Sequence, residues 1–392
     1  MGGGQPVAGR QAGSNAGHGL WVRYGGEPVS EEQIRFAAEH YAVAIVQPRE
    51  VAAASLLKEL NPAVKVLAYQ CLSSTRAYED PHVEAITSGV SFAEAQWEEE
   101  RGARWFARRR SGELIEWEGY PGHFQMNVWD RGYRQRWVQN VTARFANSPF
   151  DGVMADNDCY GDYYGLNLPI RGARQMRTIH RGLDRLIRDA GKTLNRHGKI
   201  LVPNIAESRC TPGKWERHSA YGGGFEEVFL GWEESKFLGA DAALGQIAEM
   251  TNHLPSVNLP GASAERLTLL RAASNGDNAH PNFLAGLAAF WVFGAGNWTA
   301  LTATGHDSHN GTPWTPELAW NLGVTRGQAH YRNGAIAREF SDGWAANNLT
   351  DCHSGSLTVP AGMRDSYGNL RRSVSLPPHH GVVLVREHPA HQ

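Results

Sequence analysis

The sequence predicts a (β/α)8 TIM barrel followed by a small C-terminal antiparallel β module. Three observations point there. Eight short apolar runs recur between Leu20 and Leu301 and alternate with helix-length amphipathic segments. The first run is not followed by a Gly-rich phosphate turn: Tyr24-Gly-Gly-Glu-Pro28 departs from the fingerprint of an open doubly wound sheet. From about Asn333 the pattern changes to short strand-like runs separated by Gly, Asn and Pro turns.

Taken in order, residues 1–17 are Gly/Ala/Gln-rich with no apolar period and read as a disordered leader. Leu20-Trp-Val-Arg-Tyr24 is the first strand. Ser30 is an N-cap, with Gln33 in the capping-box position of a helix to His40. Val43-Ala-Ile-Val46 is the second strand, and a helix near Glu50–Leu60 is stopped by Asn61-Pro62. Val64 to Tyr69 is the third strand. The stretch from Ser73 to Gly122 is too long for a plain connection and reads as an insertion walling a cleft. A helix over Asp130–Ala146 leads to the fourth strand, Gly152-Val-Met-Ala155, and a helix near Arg171–Asn195 to the fifth, Ile200 to Asn204. The sixth runs from Phe225 to Leu230. The seventh lies near Leu267–Ala272, where a helical reading competes. A helix near Asn282–Phe293 precedes the eighth, Asn297 to Leu301. The barrel therefore spans residues 18–330, and a β-sandwich-like module occupies residues 331–392.

Composition narrows the function. The 392 residues carry a formal charge of −2, which gives no electrostatic footprint for nucleic acid or an anionic membrane. No apolar run is long enough to span a bilayer. The four cysteines form no CxxC, and His residues do not recur at strand ends, so neither a metal nor a cofactor is expected. The 13 Trp, 12 Tyr and 44 Gly suit a loop-rich protein handling neutral polar ligands.

Catalytic groups of a barrel sit where strands end at the C-terminal face. Asp156 closes the fourth strand, and no helix pattern follows closely enough to make it a cap. Glu226 and Glu227 lie within the sixth run, where alternation lets only one face the mouth. Two carboxylates across a barrel mouth suit glycoside hydrolysis: one protonates the leaving oxygen, the other attacks the anomeric carbon or activates water. Asp156 and one of these two glutamates are therefore the expected catalytic pair. Aromatic rings at loops and strand ends can pack on sugar C–H faces. Trp105, Trp129, Asn157, Asp158, Tyr160, Asn204, Trp232 and Trp298 are the expected substrate contacts, with Trp117, Tyr163 and Tyr164 nearby. His306-Asp-Ser-His309 follows the eighth strand and reads as a polar loop.

Several of these segments resemble a known family. Asp151-Gly-Val-Met-Ala-Asp156-Asn157 is similar to the fourth-strand motif of glycosidase barrels related to endo-α-1,4-polygalactosaminidase. Trp105-Phe106 followed by a turn at Gly112 resembles an element of their third loop. Gly223-Gly-Phe-Glu-Glu227-Val-Phe229 resembles the sixth-strand motif of hypothetical glycosyl-hydrolase-like family fifteen. Arg338-Glu-Phe340, Gly343 and the run Ser375 to Leu384 resemble the terminal β module of the same group. The resemblance covers Leu20 to Val385. It implies a TIM barrel with its acids at Asp156 and Glu227, and it departs at Glu226, where an uncharged residue is more usual.

The expected function is thus hydrolysis of a polysaccharide or oligosaccharide, in the extracellular space or cell envelope. The alternatives are a non-catalytic carbohydrate-binding barrel, and a metal-dependent lyase or aldolase using Asp156, Asp158 and Glu227 as oxygen ligands. The residues leave open the sugar, the linkage, retention or inversion, and the oligomeric state.

Overall fold

Short runs that are apolar at every position can be satisfied only where both faces are covered, which is the condition of a parallel sheet flanked by helices. The computed structural model describes residues 17–158, 161–162, 164–251, 261–278, 280–305, 308 and 312–386. Within them, the eight runs form parallel strands: β1 (Leu20–Arg23), β2 (Val43–Val46), β3 (Lys65–Cys71), β4 (Gly152–Asp156), β5 (Ile200–Pro203), β6 (Gly223–Phe229), β7 (Leu267–Ala272) and β8 (Ala300–Thr302). Strands β1 to β5 pair in sequence order as one five-stranded sheet, and β6 to β8 as a second sheet of three. Single parallel bridges join the two sheets at both edges, Asn204 to Phe225 and Gly19 to Leu301. The Ile205 N–H donates to the Phe225 carbonyl at 2.7 Å, and the Leu301 N–H to the His18 carbonyl at 2.8 Å. Alternate residues of all eight strands, among them Val22, Ile45, Leu67, Met154, Val202, Phe225, Leu269 and Ala300, meet in one interior cluster.

Helices connect the strands: α1 (Glu31–His40), α2 (Val51–Leu60), α3 (Arg131–Phe145), α4 (Met176–Arg196), α5 (Lys214–Ser219), α6 (Ala240–Thr251) and α7 (Pro281–Gly294). The Ser30 hydroxyl accepts from the Gln33 N–H, and the Gln33 side chain accepts from the Ser30 N–H, closing the capping box. Asp130 caps α3 by accepting from the Tyr133 N–H at 2.9 Å. The helix expected from Arg171 begins only at Met176. The eighth strand also starts later than expected, at Ala300, because Asn297 and Trp298 belong to the turn after α7.

Two glycines explain why the strands approach so closely at the end opposite the mouth. A Cβ on Gly152 would lie 2.2 Å from the Ile200 carbonyl oxygen on β5. Gly223, at φ 132, would bring a Cβ within 2.2 Å of the Leu267 carbonyl oxygen on β7.

After β3 the chain leaves the sheet. A short strand, Ser74–Arg76, pairs antiparallel with His123–Gln125, and the loop between them carries a helix at Phe92–Glu99. The C-terminal portion is an antiparallel sheet of five strands: β9 (His330–Arg332), β10 (Ala335–Glu339), β11 (Gly343–Asn347), β12 (Met363–Arg364) and β13 (Gly381–Arg386). One face packs on α7, whose Phe290 and Trp291 share a core with Phe340, Ala345 and Val383. The other face buries Trp344, Leu357, Met363 and Leu384, with a two-stranded sheet, Leu357–Thr358 and Ser373–Val374, laid beside it.

Candidate active site

Strand order places the ends of β3, β4, β5 and β6 side by side, and each supplies one polar group. Asp156 ends β4 and lies in register with Cys71 at the end of β3. Four uncharged donors reach its carboxylate. Oδ1 accepts from the Asn157 N–H at 2.8 Å and from Asn204 Nδ2 at 2.9 Å. Oδ2 accepts from the Tyr69 hydroxyl at 2.6 Å and from Asn157 Nδ2 at 3.1 Å. Asn157 adopts φ 64, a left-handed conformation that Asn tolerates better than most residues, and this is how it donates twice to its neighbour. Asn204 Nδ2 donates a second bond, to Glu227 Oε2 at 2.6 Å. One amide nitrogen therefore touches both carboxylates.

Behind Asp156 a polar chain runs to the insertion. Arg76 donates to the Tyr69 hydroxyl at 3.2 Å and to Glu79 at 3.2 Å. Glu79 accepts in turn from the Thr87 and Ser88 N–H groups at 2.9 and 3.1 Å. Burial, reinforced by the Asp156 charge, holds the Tyr69 phenol well above its ordinary pKa, so it remains a neutral donor. Burial works against the Arg76 charge, but Tyr69, Cys71 and Glu79 outweigh it. His123, on the same wall, is pushed down to about 4 by burial and then by Arg76, so its ring is neutral at pH 7.

These groups open into a cavity of about 500 Å³. Aromatic rings are set among its polar walls: Tyr24, Tyr78, Trp117, Tyr120, Tyr164 and Trp232. Trp117 and Tyr164 stack at 4.2 Å between centroids, and the Tyr164 hydroxyl donates to Asn157 Oδ1 at 3.1 Å. Tyr24 stacks on Tyr69 at 4.6 Å. The Arg49–Glu84 ion pair, 3.1 Å, also lines the cavity.

Of the expected site residues, the structure brings Asp156, Asn157, Asn204, Glu227 and Trp232 into this cavity. It does not bring the others. Asp158 is fully buried behind β4, where Oδ2 lies 2.5 Å from His218 Nδ1 and 3.6 Å from Lys214 Nζ. His218 Nε2 lies 2.6 Å from Asp184 on α4. Burial opposes charge on His218, but the two carboxylates outweigh it and raise its pKa. Trp105 is buried in the insertion core, with the Arg136 guanidinium 5.9 Å from its ring. Trp129 packs against Gly172 ahead of α4. Trp298 sits between Phe229 and Phe290, 5.7 and 6.1 Å away, in the core between the strands and α7. In each case a large ring was needed by the core, and a loop position in sequence did not reveal it. Tyr160, like Tyr163 and most of the His306–His309 loop, lies outside the described residues.

Glu226 faces away from the cavity and is fully buried. Its carboxylate accepts from the N–H groups of Glu207, Ser208 and Val228 at 3.0, 2.9 and 3.2 Å. Burial raises its pKa, and these donors oppose the rise.

The residues not anticipated are Tyr24, Tyr69, Arg76, Tyr78, Tyr120 and His123. Tyr24 and Tyr69 occupy mouth-facing strand ends, so the rule that found Asp156 also finds them. Arg76 and His123 depend on the pairing of two short strands far apart in sequence, for which no local pattern exists. Among the described residues, no group of three or more His, Cys, Asp or Glu side chains is placed to hold a metal ion.

Parallel strands that end in two neighbouring carboxylates beside aromatic rings, in a mixed α/β fold, make an arrangement suited to a carbohydrate ligand. The chain belongs to hypothetical glycosyl hydrolase family 15, whose family model matches residues 58–344. No curated protein matches it in sequence. Among solved structures, it resembles a debranching enzyme from Nostoc punctiforme at 10% identity, covering 95% of this chain and 97% of that one, with a TM-score of 0.50. It also resembles the cycloalternan-degrading enzyme of Trueperella pyogenes (12%, 94% and 62%, TM-score 0.49). A third is Ega3 of Aspergillus fumigatus with galactosamine (10%, 80% and 100%, TM-score 0.43). At these identities the likeness concerns the fold alone.

Proposed function

We propose that the protein is a retaining glycoside hydrolase acting on a polysaccharide or oligosaccharide, and that its two parallel sheets form one closed (β/α)8 barrel. The barrel reading is supported by the single interior cluster drawn from all eight strands and by the bridges at both sheet edges. The hydrolase reading rests on Asn204: its Nδ2 bonds Asp156 Oδ1 and Glu227 Oε2 at 2.9 and 2.6 Å. The two bridged oxygens are then no more than about 5.5 Å apart, which favours the close spacing of a retaining pair over the wider gap that admits an inverting water.

In this reading Asp156 is the nucleophile. Its four donors fix the carboxylate in one orientation beneath the anomeric carbon and stabilise it again as the leaving group. Glu227, which accepts a single hydrogen bond among the described residues, is the acid: it protonates the departing oxygen and then takes a proton from the incoming water. The aromatic walls pack against sugar faces. The test is hydrolysis of a panel of polysaccharides, with the anomer of the first product read by NMR. Release of a product with retained configuration, absent from Asp156→Asn and Glu227→Gln, supports the reading. Inverted product, or binding without turnover by the wild type, overturns it.

A further inference from the structure

The chain as a whole is slightly acidic, yet its longest helix is not. Helix α4 carries Arg177, Arg181, Arg185, Arg188, Lys192 and Arg196, spaced three or four residues apart, against Asp184 and Asp189. That spacing lines the cations along one side of a helix about 30 Å long. Asp184 is engaged with His218, and Asp189 with the adjacent Arg188 at 2.9 Å. Of this row, Arg185 and Arg188 face α3, which contributes Arg131 and Arg134 and no acidic residue, while Lys192 and Arg196 line a separate hollow beside Gly261. The two helices enclose an open groove lined by Arg131, Arg134, Arg185 and Arg188, with Asp189 the only carboxylate in its lining among the described residues. Arg131 and Arg185 are exposed and have no ion-pair partner among the described residues. Arg134 is buried and donates to the Val128 carbonyl at 3.1 Å. Burial, and then the charge of Arg185, lower its pKa, with Asp189 and Asp130 opposing the shift, so the four guanidinium groups gathered here outnumber the nearby carboxylates.

We infer that the groove between α3 and α4 binds an acidic glycan chain, at a site separate from the cavity that holds Asp156. Like charges gathered on one surface cost free energy unless an anion relieves them. Four guanidinium groups drawn from two helices around one groove suit a polymer carrying repeated carboxylate or ester anions. No aromatic residue lines the groove. It therefore lacks the stacking rings that hold single-stranded nucleic acid and the apolar anchors that seat a helix in a bilayer interface. It is also concave, which fits a single extended chain. The inference does not depend on the catalytic reading.

The test is affinity electrophoresis of the full chain in native gels containing polygalacturonate or, as the neutral counterpart, dextran. Polygalacturonate should retard the wild type and dextran should not. The retardation should weaken on the order of tenfold between about 50 and 200 mM salt, because a few ionic contacts are being screened. The double variant Arg185→Gln/Arg188→Gln, both positions exposed, should keep the wild-type melting temperature and lose most of the retardation. Arg131→Gln, a milder change at the groove's end, should lose part of it. Equal retardation of wild type and double variant overturns the inference, as does no retardation at low salt. Tighter binding to duplex DNA or to phosphatidylglycerol vesicles than to polygalacturonate also overturns it.

Discussion

The front and back of the same two strand ends hold the same chemical groups in opposite circumstances. On the mouth side, Asp156 and Glu227 line an open cavity and are held by neutral donors: a phenol, a backbone N–H and two amides. On the back, Asp158 and Glu226 are fully buried. Asp158 is neutralised by His218 and Lys214, and Glu226 is caged by three backbone N–H groups. Asp156 and Asp158 are two residues apart, and Glu226 and Glu227 are adjacent. The difference teaches that orientation, rather than residue type, separates a carboxylate available to a ligand from one that fastens loops. A carboxylate already matched to a cation or to a full set of backbone donors has nothing left to offer a substrate.

The largest expected effect is on the front. Asp156→Asn and Glu227→Gln should each lower turnover by about 10²–10⁴ with the fold intact, measured as initial rates beside circular dichroism spectra. If either variant retains wild-type rate, the front pair is no different from the back pair and the comparison breaks.

Next comes the back. His218→Gln leaves Asp158 buried with Lys214 alone and should cost about 3 kcal/mol of stability, read from urea unfolding. This effect has a pH signature. The folded-state pKa of His218 is raised, so its contribution is fully present below about pH 6.5. It is lost as pH rises through the raised folded value. The gap in melting temperature between wild type and His218→Gln should therefore be widest in mild acid and close toward alkaline pH. A gap that widens with pH would show that His218 is held neutral.

Tyr69→Phe sharpens the front by removing one of four donors to Asp156. It should reduce kcat by about tenfold, the worth of one hydrogen bond to a charged group, with KM little changed. Glu226→Gln should do the least to rate. Its new amide N–H group confronts a backbone donor, costing about 1–3 kcal/mol of stability, while activity stays within a few-fold of wild type. A dead Glu226→Gln beside an active Glu227→Gln would mean that front and back have been exchanged.

Period and punctuation made much of this legible beforehand. Val43–Val46 is apolar at every position, Ser30 and Gln33 form a cap visible in four letters, and Asp156 ends a strand with no helix directly after it. Alternation also separates Glu226 from Glu227, since only the relative direction of neighbouring side chains is needed. Asp158 lies apart from the cavity because its neutralising partners, Lys214 and His218, come from more than fifty residues away on α5. Trp105 and Trp298 lie apart because a Trp in a turn can fold back into a core, and sequence does not show which side of the chain the core is on. Arg76 and His123 meet through strand pairing across the insertion, a long-range contact with no local cause.

Helix α7 has a further consequence. Eleven of its 14 residues are buried, including Phe283, Leu287, Phe290 and Trp291, so it has no solvent-facing side. The parallel strands cover one flank, and the C-terminal antiparallel sheet covers the other, with Asn347 Nδ2 donating to the Ala285 carbonyl at 2.7 Å. A helix insulated from both directions cannot lose one cover and keep the other. Heat should therefore melt the two parts in a single calorimetric transition, and a chain ended at Tyr331 should precipitate rather than fold as a smaller enzyme.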